Sequence, residues 1–252
     1  MTSPLNLAGS LLASSAALWR GTYSRPTAAP ALPLTLYDME NCPYCRLVRE
    51  AVTALELEVL ILPCPKGGRR FRKEVVAEGG KAQFPYLVDP NTGTRLYESL
   101  AIVDYLYQTY GQRPAPPALR LKWLDTPSSM LASGLRLGRG LRVRAARPAQ
   151  KPLALWSFES SPYARPVREA LCELELPYLL HPIGKGQWQD FALTAVRDRL
   201  WPNLVHESAN RQALKARAGK VMSPYLEDPN TGAALFESAA ILAYLDETYA
   251  TD

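Results

Sequence analysis

Glu40-Asn41-Cys42-Pro43-Tyr44-Cys45-Arg46-Leu47-Val48-Arg49-Glu50-Ala51 returns 119 residues later as Glu159-Ser160-Ser161-Pro162-Tyr163-Ala164-Arg165-Pro166-Val167-Arg168-Glu169-Ala170. The same offset carries Leu55-Glu56-Leu57 onto Leu174-Glu175-Leu176 and Lys66-Gly67 onto Lys185-Gly186. Further along the offset is 139: Pro85-Tyr86-Leu87 matches Pro224-Tyr225-Leu226, Asp89-Pro90-Asn91-Thr92-Gly93 matches Asp228-Pro229-Asn230-Thr231-Gly232, and Glu98-Ser99 matches Glu237-Ser238. The second copy therefore holds a 20-residue insertion between Gly186 and Pro224. Self-similarity over this distance reads as two copies of one folding unit.

The repeat extends upstream. Ser10, Leu12, Ala13, Ser14, Arg20, Gly21 and Arg25 recur as Ser129, Leu131, Ala132, Ser133, Arg139, Gly140 and Arg144. The first 37 residues lack any acidic side chain, a composition that by itself reads as an organelle leader. A cleaved leader has no reason to match an internal segment, so residues 10–25 are read as part of the mature unit and as a short helix. The expected layout is an N-terminal segment over 1–33, a first domain over 34–111, a linker with a second copy of the upstream helix over 112–151, and a second domain over 152–252.

Composition bounds the chemistry. The 252 residues are 47% hydrophobic and 21% charged, as in an ordinary globular chain. No apolar run reaches the ~18 residues of a membrane span. The net charge of +5 permits anionic partners without selecting nucleic acid, lipid or protein. Four cysteines, Cys42, Cys45, Cys64 and Cys172, include a single C-x-x-C, and the two histidines, His181 and His206, show no paired spacing, so no metal is expected.

Within one copy the local signals run strand, helix, strand, helix, strand, strand, helix. Leu34-Thr35-Leu36-Tyr37 alternates as a strand. Val48, Ala51, Val52 and Leu55 lie at helical spacing behind the C-x-x-C, with Pro43 in the first turn, where its missing N–H is harmless. Val59-Leu60-Ile61-Leu62 reads as a strand buried on both faces. Arg72–Glu78 reads as a helix stopped by Gly79-Gly80. Tyr86-Leu87-Val88 and Arg95-Leu96-Tyr97 flank the hairpin turn chemistry of Asp89–Gly93, and Ser99 is expected to cap the last helix.

This order, with CPYC at a helix start, Phe84-Pro85 before strand three and Glu98-Ser99 opening the last helix, resembles glutaredoxins and the N-terminal domain of soluble glutathione transferases. Two such units, with Pro63-Cys64-Pro65-Lys66-Gly67-Gly68 and two Asp-Pro-Asn-Thr-Gly hairpins, look like a plant and algal class with two repeated N-terminal domains. The resemblance implies an α/β fold of two tandem thioredoxin-like domains and a plastid location. Ordinary transferases follow this domain with an all-helical one. Here the Pro-rich stretch Gln112–Pro117 leads instead into a second copy, so the expectation is no all-helical domain and little conjugating activity.

The chemistry read from the first copy centres on Cys42. A thiol just before a helix meets free N–H groups and the positive end of the macrodipole, which favour the thiolate, the form that attacks disulfides. Cys45, one turn on, is the candidate resolving thiol. The resemblance implies that Pro85 is cis and that the Phe84 backbone faces the site, where glutathione is the expected co-substrate. It also implies that Glu98 and Ser99 take the γ-glutamyl end and that Tyr44 borders the tripeptide. Arg70, Arg72, Lys73 and Lys81 are candidates for its glycine carboxylate, Lys81 foremost, or else a solvated face. Cys64 reads as a third redox partner or a packed thiol, and Cys172 as core.

In the second copy Cys42 becomes Ser161 and Cys45 becomes Ala164, which ends thiol chemistry there. Tyr163, Pro224, Glu237 and Ser238 remain as a degenerate site, structural or ligand-binding. The insertion, with Trp188, Phe191 and Trp201, reads as short helices flanking Pro202-Asn203 that cover this site or form an interface. Two functions follow. One is a glutathione-linked thiol–disulfide oxidoreductase acting on a disulfide-bearing protein. The other is a non-catalytic assembly module on a membrane or protein complex, in which Arg136, Arg139, Arg142, Arg144 and Arg147 meet anionic lipid, nucleic acid or an acidic partner, or else form a solvated basic face.

Overall fold

In the computed structural model, residues 9, 10, 12, 14, 15, 19–119 and 138–251 are described. The first unit comprises β1 (Leu34–Asp38), α1 (Pro43–Leu55), β2 (Val59–Pro63), α2 (Arg72–Gly79), β3 (Tyr86–Asp89), β4 (Thr94–Tyr97) and α3 (Ser99–Thr109). The second comprises β5 (Leu153–Ser157), α4 (Ala164–Glu173), β6 (Tyr178–Pro182), α5 (Thr194–Leu200), α6 (Ala209–Ala218), β7 (Tyr225–Asp228), β8 (Ala233–Phe236) and α7 (Ser238–Tyr249). In each, a parallel pair (β1 with β2, β5 with β6) is extended by an antiparallel hairpin (β3–β4, β7–β8), which gives two tandem thioredoxin-like domains.

The two units share one sheet, ordered β4-β3-β1-β2-β6-β5-β7-β8. The join is the antiparallel pair β2–β6, in which Leu60 faces Leu179, its own counterpart in the repeat. A pseudo-twofold axis therefore passes between these residues. Each β2-type strand would otherwise be an open edge, and each covers the other's unpaired backbone groups.

One face of the sheet carries the main core. On α1 the apolar positions Val48, Ala51, Val52 and Leu55 are fully buried against Leu36, Val59, Ile61 and Ile102. Each such Val or Leu contributes about 1.5–3 kcal/mol, and Leu55→Ala would cost about 2–5 kcal/mol through the cavity it leaves. The cluster runs unbroken into Leu153, Leu155, Val167 and Leu171 of the second unit. Expected as buried on both faces, β2 alternates instead: Val59 and Ile61 are buried, whereas Leu60 and Leu62 on the face away from α1 are half-covered. Nor is Ser99 the cap of α3. Glu98 holds that position with φ 69°, and Ser99 is the first helical residue.

The segment before each unit docks on the other unit. Lys185 N–H donates to Thr22 O at 2.8 Å and Ser24 N–H to Lys185 O at 3.1 Å; one repeat away, Lys66 N–H donates to Leu141 O and Val143 N–H to Lys66 O at 3.0 Å. Residues 9, 10, 12, 14 and 15 are helical, but the segment expected as one helix over 10–25 turns at 19–21 and runs extended at Tyr23; the Ser10 and Ser14 hydroxyls donate to Pro162 O and Ser160 O at 2.7 and 2.8 Å. Gly21 (φ +75°) passes so close to Glu159 that an added Cβ would stand 2.6 Å from its Cβ, and its counterpart Gly140 (φ +71°) lies the same way against Glu40. Ala13, Ser129, Leu131, Ala132, Ser133 and Arg136 lie outside the described residues. Of the described linker arginines, Arg139, Arg142, Arg144 and Arg147 are exposed, and Arg144 pairs with Asp246 at 2.9 Å.

A third exchange uses strained backbone. Glu56 caps the end of α1 at φ 56°, and Glu175, two residues past α4, stands at φ 50°, a conformation costing a non-glycine residue roughly 1–2 kcal/mol. Glu56 Oε1 accepts from Ser208 Oγ at 2.5 Å and from Asn210 N at 3.1 Å, at the start of α6. Glu175 accepts from the backbone N–H groups of Arg69 and Arg70, just before α2. Each glutamate thus supplies a carboxylate to orphan N–H groups ahead of a helix in the opposite unit.

Candidate functional site

The first site forms where β1 hands over to α1. Cys42 is the N-cap, extended at φ −92° and ψ 123°, and Pro43 takes the first helical turn. Cys42 is 7% exposed and Cys45 is fully buried, so the turn is more enclosed than its sequence suggests. A hydrogen bond from Cys45, with the backbone N–H groups of Cys45 and Tyr44, brings Cys42 down to about 7, against the opposing effects of burial and of Asp38. Burial and the Cys42 negative charge push Cys45 well above the ordinary thiol range. With a pKa of about 7, Cys42 is about half ionised at neutral pH, its thiolate held by the protonated Cys45. All four cysteines are free thiols.

The Phe84–Pro85 bond is cis. Because Tyr37 pairs with Tyr86, Pro85 lies beside the end of β1 that leads to Cys42. The Arg72 guanidinium sits 4.7 Å from the centre of the Phe84 ring and donates to Cys64 O at 2.9 Å. At the start of α3, Ser99 is buried and Glu98 is exposed, its carboxylate accepting from Gln83 Nε2. Lys81 is exposed, with its amine 4.8 Å from the Tyr97 ring centre, next to Glu98 in the chain. Tyr44 is 48% exposed.

Other candidates fall elsewhere. Arg70 donates to the carbonyls of Leu174, Glu175 and Ala146, so it belongs to the seam between units. Cys64 is fully buried beside Tyr37, Val75 and Tyr86, and burial raises its pKa far above the usual range, which makes it a packed thiol. Cys172 is buried, as read, and at the seam it also accepts from Glu40 N–H and donates to Gly140 O.

In the second unit Ser161 and Ala164 are buried. The helix starts later than in the first unit, at Ala164, whose N–H donates to Ser161 Oγ at 3.2 Å. Ser223–Pro224 is cis, and Glu237 repeats the positive φ of Glu98, at 68°, before the buried Ser238. Ser161, Tyr163, Ser223, Pro224, Glu237 and Ser238 border a cavity of about 560 Å³, walled further by Trp19 and Phe191. Part of the insertion borders this cavity, at Asp190–Thr194 and Arg197, whereas Trp188 and Trp201 do not line it.

Sequence reasoning missed the charges between the two sites. Arg49 is clamped by Asp38 (2.8 Å) and Glu159 (2.9 Å), and Arg168 by Glu40 (3.1 Å) and Ser157 (3.2 Å), all buried. The available signal was the retention of Arg-x-x-Arg-Glu in both copies of an otherwise apolar helix. Among the described residues there is no cluster of three or more His, Cys, Asp or Glu placed for a metal, and no helix long and apolar enough to cross a membrane.

The sequence profile described as glutathione S-transferase, N-terminal domain, matches this chain twice, over residues 36–114 and 155–252. The chain belongs to the glutathione S-transferase N-terminal-domain family. Its two matched stretches correspond to the two thioredoxin-like units above. Among solved structures, a glutathione transferase of Bombyx mori is 26% identical, over 34% of this chain and 39% of that one, with a TM-score of 0.27. A delta-class glutathione transferase of Nilaparvata lugens is 27% identical, over 42% of this chain and 46% of that one, with a TM-score of 0.28. The chain thus matches less than half the length of either transferase. No curated protein gives a significant match.

Proposed function

We propose that this glutathione S-transferase N-terminal-domain protein is a glutathione-linked thiol–disulfide oxidoreductase of the glutaredoxin type, working through Cys42 in its first unit. The observation that carries this reading is the Cys42–Cys45 pair at the start of α1: one thiol near 7, the other protonated and buried behind it. The Cys42 thiolate attacks the glutathionyl sulfur of a mixed disulfide, forming Cys42–S–SG and expelling the protein thiolate, which takes a proton. A second glutathione thiolate then attacks the glutathionyl sulfur, releasing glutathione disulfide and restoring the Cys42 thiolate. Cys45 is the alternative resolving group: its thiol, on losing its proton, attacks Cys42 Sγ and expels glutathione. Its raised pKa makes this the slower route.

In this reading the backbone at Phe84 pairs with the tripeptide beside Pro85. Ser99 N–H and hydroxyl receive the γ-glutamyl carboxylate at a helix start, Glu98 meets the ammonium, Tyr44 borders the ligand and Lys81 meets the glycine carboxylate. The CPYC motif, the two hairpins and the duplication also support membership of the plant and algal two-copy class, with its plastid setting. Calorimetric titration with glutathione tests the binding part. Ser99→Ala should weaken it about tenfold, equivalent to ~1.4 kcal/mol and typical of a hydrogen bond to a charged group, while Ser238→Ala leaves it unchanged. Loss only in Ser238→Ala would assign the site to the wrong unit.

A further inference from the structure

Arg46 and Arg165 are counterparts in the repeat, 119 residues apart, and both are buried, at 3% and 5% exposure. Arg46 donates through Nε to Glu50 at 3.0 Å and comes within 4.0 Å of Glu159 in the other unit. Its Nη2 has no acceptor among the described residues. Arg165 donates to Ser14 Oγ at a long 3.3 Å, and its Nε likewise has no acceptor. Burial, followed by the nearby Arg46 charge, brings the Arg165 pKa down to about 9, so both side chains are cations at neutral pH.

The ion-pair network at the seam does not include Arg165. Arg20, Arg46, Arg49 and Arg168 are matched there with Asp38, Glu40, Glu50 and Glu159. Glu159 is already held by Arg46, Arg49 and Arg168. Glu169 stands one turn on from Arg165, as Glu50 does from Arg46, but the Arg46–Glu50 pair is not repeated there. Glu169 instead borders a separate cleft with Arg139 and Arg144. Arg165 is thus a buried guanidinium with no carboxylate within ion-pair distance among the described residues, set beside a second one whose donors are incompletely used. A buried charge of this kind is costly without a counter-ion.

We propose that Arg46 and Arg165 together bind a small inorganic anion of chloride size at the seam between the units, held by Arg165 Nε and Arg46 Nη2. Both donor atoms are shielded from solvent, which suits a compact ion rather than an organic one. The docked N-terminal segment closes the site, since Ser14 Oγ accepts from Arg165 and donates to Ser160 O at 2.8 Å. The ion would then tie the segment before the first unit, helix α1 and helix α4 together. The proposal stands independently of the chemistry at Cys42.

Thermal melts of the full chain, with sodium chloride replacing sodium gluconate at constant ionic strength, test this. Gluconate is too bulky for a shielded site and keeps the screening fixed. The melting temperature should rise by roughly 5 °C and then saturate, and bromide should act in the same way. Arg165→Met, which fills similar space without the charge, should abolish the saturable rise, whereas Lys220→Gln, at an exposed lysine past α6, should leave it unchanged. In crystals of the native chain grown with bromide, the anomalous signal should lie between the two guanidinium groups, a reading that needs no variant to fold. No chloride-specific rise in the native chain, an equal rise in Arg165→Met, or bromide bound only elsewhere would overturn the proposal.

Discussion

Arg49 donates through Nε to Glu159 at 2.9 Å, and one repeat away Arg168 donates through Nε to Glu40 at 3.1 Å, so each unit's first helix grips the loop before the other's. All four side chains are almost wholly buried. Breaking such a pair strands a charge in a medium of low dielectric, and that cost exceeds the net worth of the intact pair.

Glu159→Gln should therefore destabilise the protein by about 3 kcal/mol. Arg168 and Arg49 hold this carboxylate far below the ordinary value of 4.5 in spite of its burial. A carboxyl depressed on folding contributes stability above its unfolded pKa and loses it as pH falls through the folded one. Denaturant titrations should show the full difference between native and variant chains at neutral pH, shrinking as pH falls below 4.5.

Asp38 has the opposite sign. Burial outweighs Arg49 and pushes this carboxyl up to about 6. A raised carboxyl adds stability below its unfolded value of 3.8 and loses it as pH rises through about 6. Relative to Asp38→Asn, the native protein should lose stability across that interval. Asp38 also opposes ionisation of Cys42, so the variant's Cys42 alkylation profile should move to lower pH than the native midpoint near 7. A shift to higher pH would contradict this arrangement.

Deleting residues 1–30 removes the docked Thr22–Ser24 segment and the Ser10 and Ser14 hydrogen bonds to the second unit. The melting temperature of the whole chain should fall by roughly 5 °C or more. An unchanged melting curve would mean that this segment contributes nothing to the seam.

Alkylation between about pH 6 and pH 7 should label Cys42 well ahead of Cys45, Cys64 and Cys172, since burial raises the last three and the thiolate is the reactive form. Mass spectrometry of the labelled peptides reads this directly. Equal rates at all four would remove the basis for assigning Cys42 as nucleophile.

The element order, both hairpins and the duplication were legible because each rests on local signals: strand alternation, helical spacing and Asp-Pro-Asn-Thr-Gly turns. Asp89 and Asp228 exceed their turn roles, since each also accepts from two tyrosines, Tyr105 and Tyr110 or Tyr244 and Tyr249. The contacts between copies were not legible. Whether a helical Arg49 faces water or a partner unit depends on which strands meet, and nothing local to β2 announces Leu60 opposite Leu179. The same limit applied to Arg70, read as a candidate carboxylate contact or a solvated residue and found at the seam. Ser99 misled differently: its type suits a cap, but the positive φ of Glu98 shifts the helix start by one residue.

The central claim, that Cys42 carries out glutathione-linked disulfide exchange, is tested most directly by turnover of a glutathionylated peptide with glutathione as reductant. Native protein should turn over, Cys42→Ser should abolish turnover, and Cys45→Ser should retain it, because a second glutathione can release the mixed disulfide. Native rates in Cys42→Ser would contradict the account.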